Sequence, residues 1–188
     1  MQIVDFSKIQ ETSEGGSRPP VGGYVLCIVN CEENTQKQYF QMEWDYAEGQ
    51  FENHNQDMYT KNGWRYPKLF RSYKNDAAMG MLKHFLSCLE KSNQGFNMTA
   101  WNKLPEPQQA GHLNGLIFGA VIGEEEYQAQ DGSVKVRQVI RAILPVSKIR
   151  EGDFKIPPLK KLQNDTTSAP APVAPEPANN ADLNQCPF

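Results

Sequence analysis

Two segments of the chain alternate apolar and polar residues with strict period two, and this restricts it to folds built on a sheet. In Tyr39 to Tyr46, the apolar residues Phe40, Met42, Trp44 and Tyr46 take one face, while Gln41, Glu43 and Asp45 take the other. In Val134 to Leu144, the expected inward set is Val134, Val136, Ile140, Ala142 and Leu144, with Lys135, Arg137 and Arg141 outward. Successive side chains of a strand point to opposite faces, so each segment predicts a half-buried strand.

The neighbouring segments fit around these two. Gly23 to Cys31 is dense in strand formers and predicts a hairpin with Tyr39 to Tyr46 across the polar turn Glu32 to Lys37. Cys27 and Cys31, four apart, are expected on one face as small buried hydrophobes. Gly49 to Asn62 is polar and expected as a loop that ends in the turn signal Asn62-Gly63. A third strand is predicted over Lys68 to Tyr73. Asp76 is expected to cap a helix reaching about Ser92, with Ala78, Met81, Leu82, Phe85, Cys88 and Leu89 as its apolar stripe. Phe96 to Gln109 is broken by Pro105 and Pro107 and is expected to be irregular. Leu116 to Ile122 is apolar on both faces and predicts a buried strand, turned into the last one by Asp131-Gly132.

The order is three strands, a helix, then a two-strand hairpin. It predicts a mainly β (α+β) fold, an OB-like five-stranded barrel with one helix between strands 3 and 4. This domain is expected over 1–162. From Gln163 the composition shifts to Pro, Ala, Thr and Ser, so 163–188 is expected as a disordered tail with a terminal interaction tip.

Charge narrows the function. The chain has 19 Lys+Arg and 22 Asp+Glu, and no Lys or Arg follows Lys161. The tail acids Asp165, Glu176 and Asp182 carry the whole excess, so the body is neutral. A neutral body binds phosphates only through a local basic patch. The best candidate is Tyr59 to Lys74, where Lys61, Arg65, Lys68, Arg71 and Lys74 interleave with Tyr59, Trp64, Tyr66, Phe70 and Tyr73 and no acid intervenes. Cations that neutralise phosphates, set beside rings that stack on unpaired bases, are what single strands require. Lys135, Arg137 and Arg141 would extend the track along the last strand, while Glu43, Asp45 and the run Glu124 to Glu126 should repel it. The expected nucleic-acid contacts are thus Lys61, Trp64, Arg65, Tyr66, Lys68, Arg71, Tyr73, Lys74, Lys135, Arg137 and Arg141. The alternative reading is that some of these rings are core.

Catalytic patterns are poor. His54, His84 and His112 are scattered, and the zinc-protease, nucleophile-elbow and phosphate-loop motifs are absent. The expectation is a non-enzyme with no cofactor and no metal. No apolar run is long enough to span a membrane, and Met1 to Lys8 lacks the pattern of a secretory signal. The expected location is the cytoplasm, that of the host if a phage encodes the chain.

The segments MQIVDF, PPVGGYVLCIV, WDYAEGQF, LFRSYK, GLIFGAVIGEEEY, DGSVKVR and VSKIREGDFKIPPLKKL carry a resemblance that spans nearly the whole body. The chain resembles a group of small proteins of phages and prophages of Gram-positive bacteria, found among replication and recombination genes. That resemblance implies a DNA-replication context. The tail is similar to that of bacterial-type single-stranded DNA-binding proteins, whose acidic tip ends in Pro-Phe and docks onto replication and repair partners. Here Pro187 and Phe188 match and Asp182 is the nearby acid, but the acidic run is missing and Cys186 replaces an apolar residue. The implied partners are single-stranded DNA and, through the tip, replication or recombination proteins, with self-association of the body left open. The competing expectation is a replication accessory factor without DNA binding of its own. A nuclease is the third, and it lacks a convincing set of clustered carboxylates.

Overall fold

The computed structural model describes residues 18–162. Five strands form one antiparallel sheet: β1 (Gly22–Asn34), β2 (Tyr39–Tyr46), β3 (Lys68–Ser72), β4 (Ile117–Gln128) and β5 (Val134–Leu144). Their order across the sheet is β3-β2-β1-β4-β5. The helices are α1 (His54–Asn62), α2 (Asp76–Ser92) and the short α3 (Met98–Trp101), α4 (Glu106–Gly111) and α5 (Val146–Arg150). The expected tail over 163–188, including Asp182, Pro187 and Phe188, lies outside the described residues.

The sheet does not close. β3 and β5 are its two edges, with no ladder between them, so the expected barrel is replaced by an open, curled sheet. Helix α2 packs on β3, β4 and β5 and thereby reaches both edges from one end. Its stripe explains this position. Ala78, Leu82, Phe85, Leu86, Cys88 and Leu89 are buried, and Phe85 meets the Phe118 ring edge-on at 5.4 Å. Burying one such side chain is worth about 1.5–3 kcal/mol. Met81, expected in the stripe, is instead exposed. The cap is Asn75, whose side chain accepts from the Ala78 N–H at 2.9 Å, rather than Asp76.

The inner face of the sheet carries the alternating residues of β2: Phe40, Met42, Trp44 and Tyr46 are all buried. The register of β1 slips between Ile28 and Asn30. This bulge puts Cys31 in the core and leaves Cys27 on the opposite face, correcting the expectation that the two share a side. The β4–β5 pairing slips at Val121/Ile122, opposite Ala142 and Ile140, so Arg141 is the extra residue. Ile143 is consequently buried while Ala142 is exposed. Val134 and Val136, expected inward, are 58% and 47% exposed, because the hairpin tip projects beyond the helices that cover the rest of the sheet.

A second layer covers the outer face of β1 and β4. There α5 and the stretch after it lie close to the backbone. A Cβ on Gly23 would stand 2.4 Å from the Phe154 ring, and one on Gly119 would stand 2.6 Å from Ile149. The Lys160 N–H donates to Glu124 O at 3.0 Å, and Glu126 N–H donates to Lys160 O at 2.8 Å. The segment therefore extends the sheet beside β4.

Burial also sets an alkaline limit on the fold. It raises the Cys31 thiol from 9.0 to about 12, helped by Glu33 and Glu32, and raises Tyr24 and Tyr46 as well. The folded chain keeps these protons where the unfolded chain releases them, so the unfolded state binds fewer and stability falls as pH rises. The contribution is whole below 9.0 and is lost toward about 12 for Cys31. Urea midpoints are expected to be level from about pH 7 to 8.5 and to decline above that. Midpoints that rise with alkalinity would contradict this assignment.

Candidate nucleic-acid interface

The segment after β2 was expected as a loop and is in part a helix, held from a distance. Asp45, buried at 2% exposure, accepts N–H bonds from Tyr46 at 2.8 Å, Asn55 at 2.9 Å and Gln56 at 2.9 Å. The last two are first-turn donors of α1, which have no partner within the helix, and a carboxylate there also meets the positive end of the helix dipole. Asn55 adds a bond from Nδ2 to Trp44 O at 3.1 Å. Gly63, at φ 67°, ends the helix with its N–H on Tyr59 O. Asn62-Gly63 therefore works as a helix stop. The chain leaves it as Trp64-Arg65-Tyr66-Pro67 and enters β3.

This exit forms one wall of a groove of about 460 Å³ between β2, α1 and β5. Trp44 and Tyr46 lie at its base. Met58, Trp64 and Arg65 stand on one side, and Gln138 and Ile140 on the other. Trp64 is 60% exposed, so its ring is available for stacking and does not plug the core. Arg18 and His54 also line the groove. Neither was anticipated, since Arg18 lies in the polar lead-in and His54 in the presumed loop. Only the tertiary fold brings them here. Gln138 fixes the lead-in through a bond from Nε2 to Pro19 O at 2.9 Å.

A second recess of about 580 Å³ lies between β3, β5 and α2, with Arg71 on one side and the edge of β5 on the other. Ile140 borders both spaces, two recesses of the slit left where β3 and β5 do not pair.

The expected cations divide into two groups. Lys61 pairs with Asp57 at 3.2 Å, Lys68 with Glu43 at 3.8 Å, Lys135 with Asp131 at 3.3 Å and Arg137 with Glu125 at 2.7 Å. Arg137 also lies over the Tyr127 ring, 5.1 Å from its centroid. Alternation from Gln138 puts Lys135 and Arg137 on the face away from the groove. Arg65, Arg71, Lys74 and Arg141 have no carboxylate within 4.0 Å among the described residues. Arg65 and Arg71 line the slit, whereas Lys74 is exposed between β3 and α2 and the Arg141 side chain crosses the outer face of β4, its Cγ 2.9 Å from where a Cβ on Gly123 would stand and its Nη1 donating to Glu124 O at 3.0 Å.

The expected rings divide similarly. Tyr73 packs on Phe40 at 5.7 Å and donates its hydroxyl to Glu33 Oε1 at 2.7 Å. Tyr66 stacks on Tyr59 at 5.8 Å and its hydroxyl bonds Gln56. Phe70 is half exposed on the outer face and meets Tyr39 edge-on at 5.5 Å, while Leu69 beside it is the inward residue. Of the expected rings, Trp64 alone lines the slit.

No family model and no curated protein matches the chain.

Among the described residues no cluster of three or more His, Cys, Asp or Glu is placed to hold a metal ion, and no helix is long and apolar enough to cross a membrane. His84 and Cys88 approach each other on α2, with Nε2 and Sγ 3.7 Å apart, and both face Ile143 O. Burial raises the Cys88 pKa, which disfavours the thiolate that a nucleophile needs.

Proposed function

We propose that the chain is a single-stranded DNA-binding protein of a phage or prophage replication or recombination system, with an OB-like body that holds the strand in the slit between β3 and β5. Two features support the OB-like description. The strand order places β1 between β2 and β4 and leaves β3 and β5 as the pair that a closed barrel would join. A partly open five-stranded barrel is also a recurrent platform for oligonucleotides. The replication context rests on the sequence resemblance.

The observation that carries the binding role is the sorting of cations. Side chains neutralised by a neighbouring carboxylate stand off the slit, whereas Arg65 and Arg71, which lack one, border it. Trp64 supplies an exposed ring in the same groove. Arginine neutralises phosphate and stacks on bases without being sequence-selective. Binding is therefore expected to prefer single strands to duplex and to weaken steeply with salt.

Titration of the full chain with oligo-dT, oligo-rU and a duplex at two salt concentrations tests this, read by tryptophan fluorescence. Trp44 and Trp101 are buried, so the expected quenching comes chiefly from Trp64 and should shrink in Trp64→Phe. Absence of quenching and of a mobility shift at low salt would remove the role. It would leave the accessory-factor reading, which the neutral body and the paired Lys61, Lys68, Lys135 and Arg137 favour.

A further inference from the structure

Arg18 precedes the first strand, yet it lines the groove of Trp64. The backbone that carries it is fixed at three points. Pro19 is buried, its carbonyl accepts from Gln138 Nε2 at 2.9 Å, and the Pro20 carbonyl accepts from the Tyr24 hydroxyl at 2.7 Å. Gln138 belongs to β5. The Arg18 side chain therefore starts from the β5 wall, across from Trp64 and Arg65 on the α1 side. Its charge lies close enough to Tyr46, at the base of the groove, to counter the rise that burial imposes on that phenol.

Neither of the two guanidiniums is neutralised. Arg18 and Arg65 have no carboxylate within 4.0 Å among the described residues, and among those residues no Asp or Glu lines the groove. Between the walls lie the Trp44 and Tyr46 rings. Two uncompensated cations on facing walls of such a trough concentrate a positive field in it, and each presents a planar fork suited to phosphate oxygens. The exposed Trp64 ring stands in the same space. A nucleotide within a strand carries a phosphate on each side of its sugar, so a base stacked on Trp64 brings one phosphate for each wall.

We infer that Arg18 is the second phosphate ligand of this groove: with Arg65 it holds, from opposite walls, the two phosphates that flank the nucleotide stacked on Trp64. This rests on the binding role proposed above and adds the lead-in to the binding site, as a wall that the Gln138 tether keeps in place.

Titration of the full chain with oligo-dT of about 16 nucleotides at several salt concentrations tests this. Arg18→Gln is expected to weaken binding and to lower the salt slope by about 0.7, the counterion release of one single-strand phosphate. Arg18→Lys keeps the charge and should retain the slope. Arg18 is exposed, so neither change loads the core. Gln138→Leu removes the tether and leaves the Arg18 charge. It should weaken binding too, and combined with Arg18→Gln it should be no weaker than the worse single variant, since both act through one contact. A slope unchanged in Arg18→Gln, with Trp64 quenching intact, would overturn the second ligand and leave the Trp64 groove standing. Losses that add in the double variant would overturn the tether's part in placing it. Failure of the unaltered chain to bind would overturn the groove itself, and the second ligand with it.

Discussion

Asp45→Ala is expected to destabilise the fold by about 3 kcal/mol and to release the first turn of α1. The carboxylate is buried and accepts from Tyr46, Asn55 and Gln56. Bonds to a charged acceptor contribute about 1.5–3 kcal/mol each, and buried donors left without one cost about 1–3 kcal/mol. Water reaching the exposed side of α1 offsets part of this loss. Asp45→Asn separates charge from shape. Oδ1 accepts two of the bonds and Oδ2 the third, so an amide oriented with oxygen at the first position keeps two and opposes its NH2 to Gln56 N–H. It should therefore cost less, roughly 1–2 kcal/mol. Urea unfolding gives these values, and amide exchange at Asn55 and Gln56 locates them. Exchange unchanged in Asp45→Ala would show that α1 does not depend on this acceptor. Because α1 leads directly into Trp64 and Arg65, the same variant should also weaken DNA binding, at a site Asp45 does not line.

Asp45 also shows where sequence reading stops. Its position on the polar side of an alternating strand read as solvent-facing, and nothing local indicated that ten residues later it would cap a helix. The period-two signal of β2 and the stripe of α2 were legible because each depends only on spacing within one element. The bulges were not. One extra residue at Arg141 reverses which side chains face inward, turning Ile143 into core and Ala142 outward, and a one-residue slip leaves no mark in composition. Barrel closure was illegible for a related reason, since whether β3 meets β5 depends on how α2 seats between them.

The candidate site divides the same way. Clustering of Trp64, Arg65 and Arg71 was readable along the chain. Neutralisation by Asp57 and Asp131 follows from i,i+4 spacing and was open to inspection. The pairs Lys68–Glu43 and Arg137–Glu125 require strand register. Arg18 and His54 join the groove through tertiary contacts alone.

That division makes the second large effect specific. Trp64→Ala should cost about 1–3 kcal/mol of single-strand affinity, the usual worth of one stacking ring, because the exposed indole lines the groove. Its effect on stability should be small, within about 0.5 kcal/mol, since the ring buries little surface. Arg65→Ala should lower the salt slope by about 0.7, the counterion release of one single-strand phosphate. Lys135→Ala and Arg137→Ala remove cations of equal formal charge, yet they face away from the slit and are held by Asp131 and Glu125. Exposed pairs of this kind are worth about 0–1 kcal/mol to the fold, and their loss should leave both affinity and salt slope unchanged. A general attraction to polyanions would instead treat Arg65 and Arg137 alike. Fluorescence titration of the four variants with oligo-dT at several salt concentrations decides between these outcomes, and equal slopes for Arg65→Ala and Arg137→Ala would eliminate the slit as the place where the strand is held.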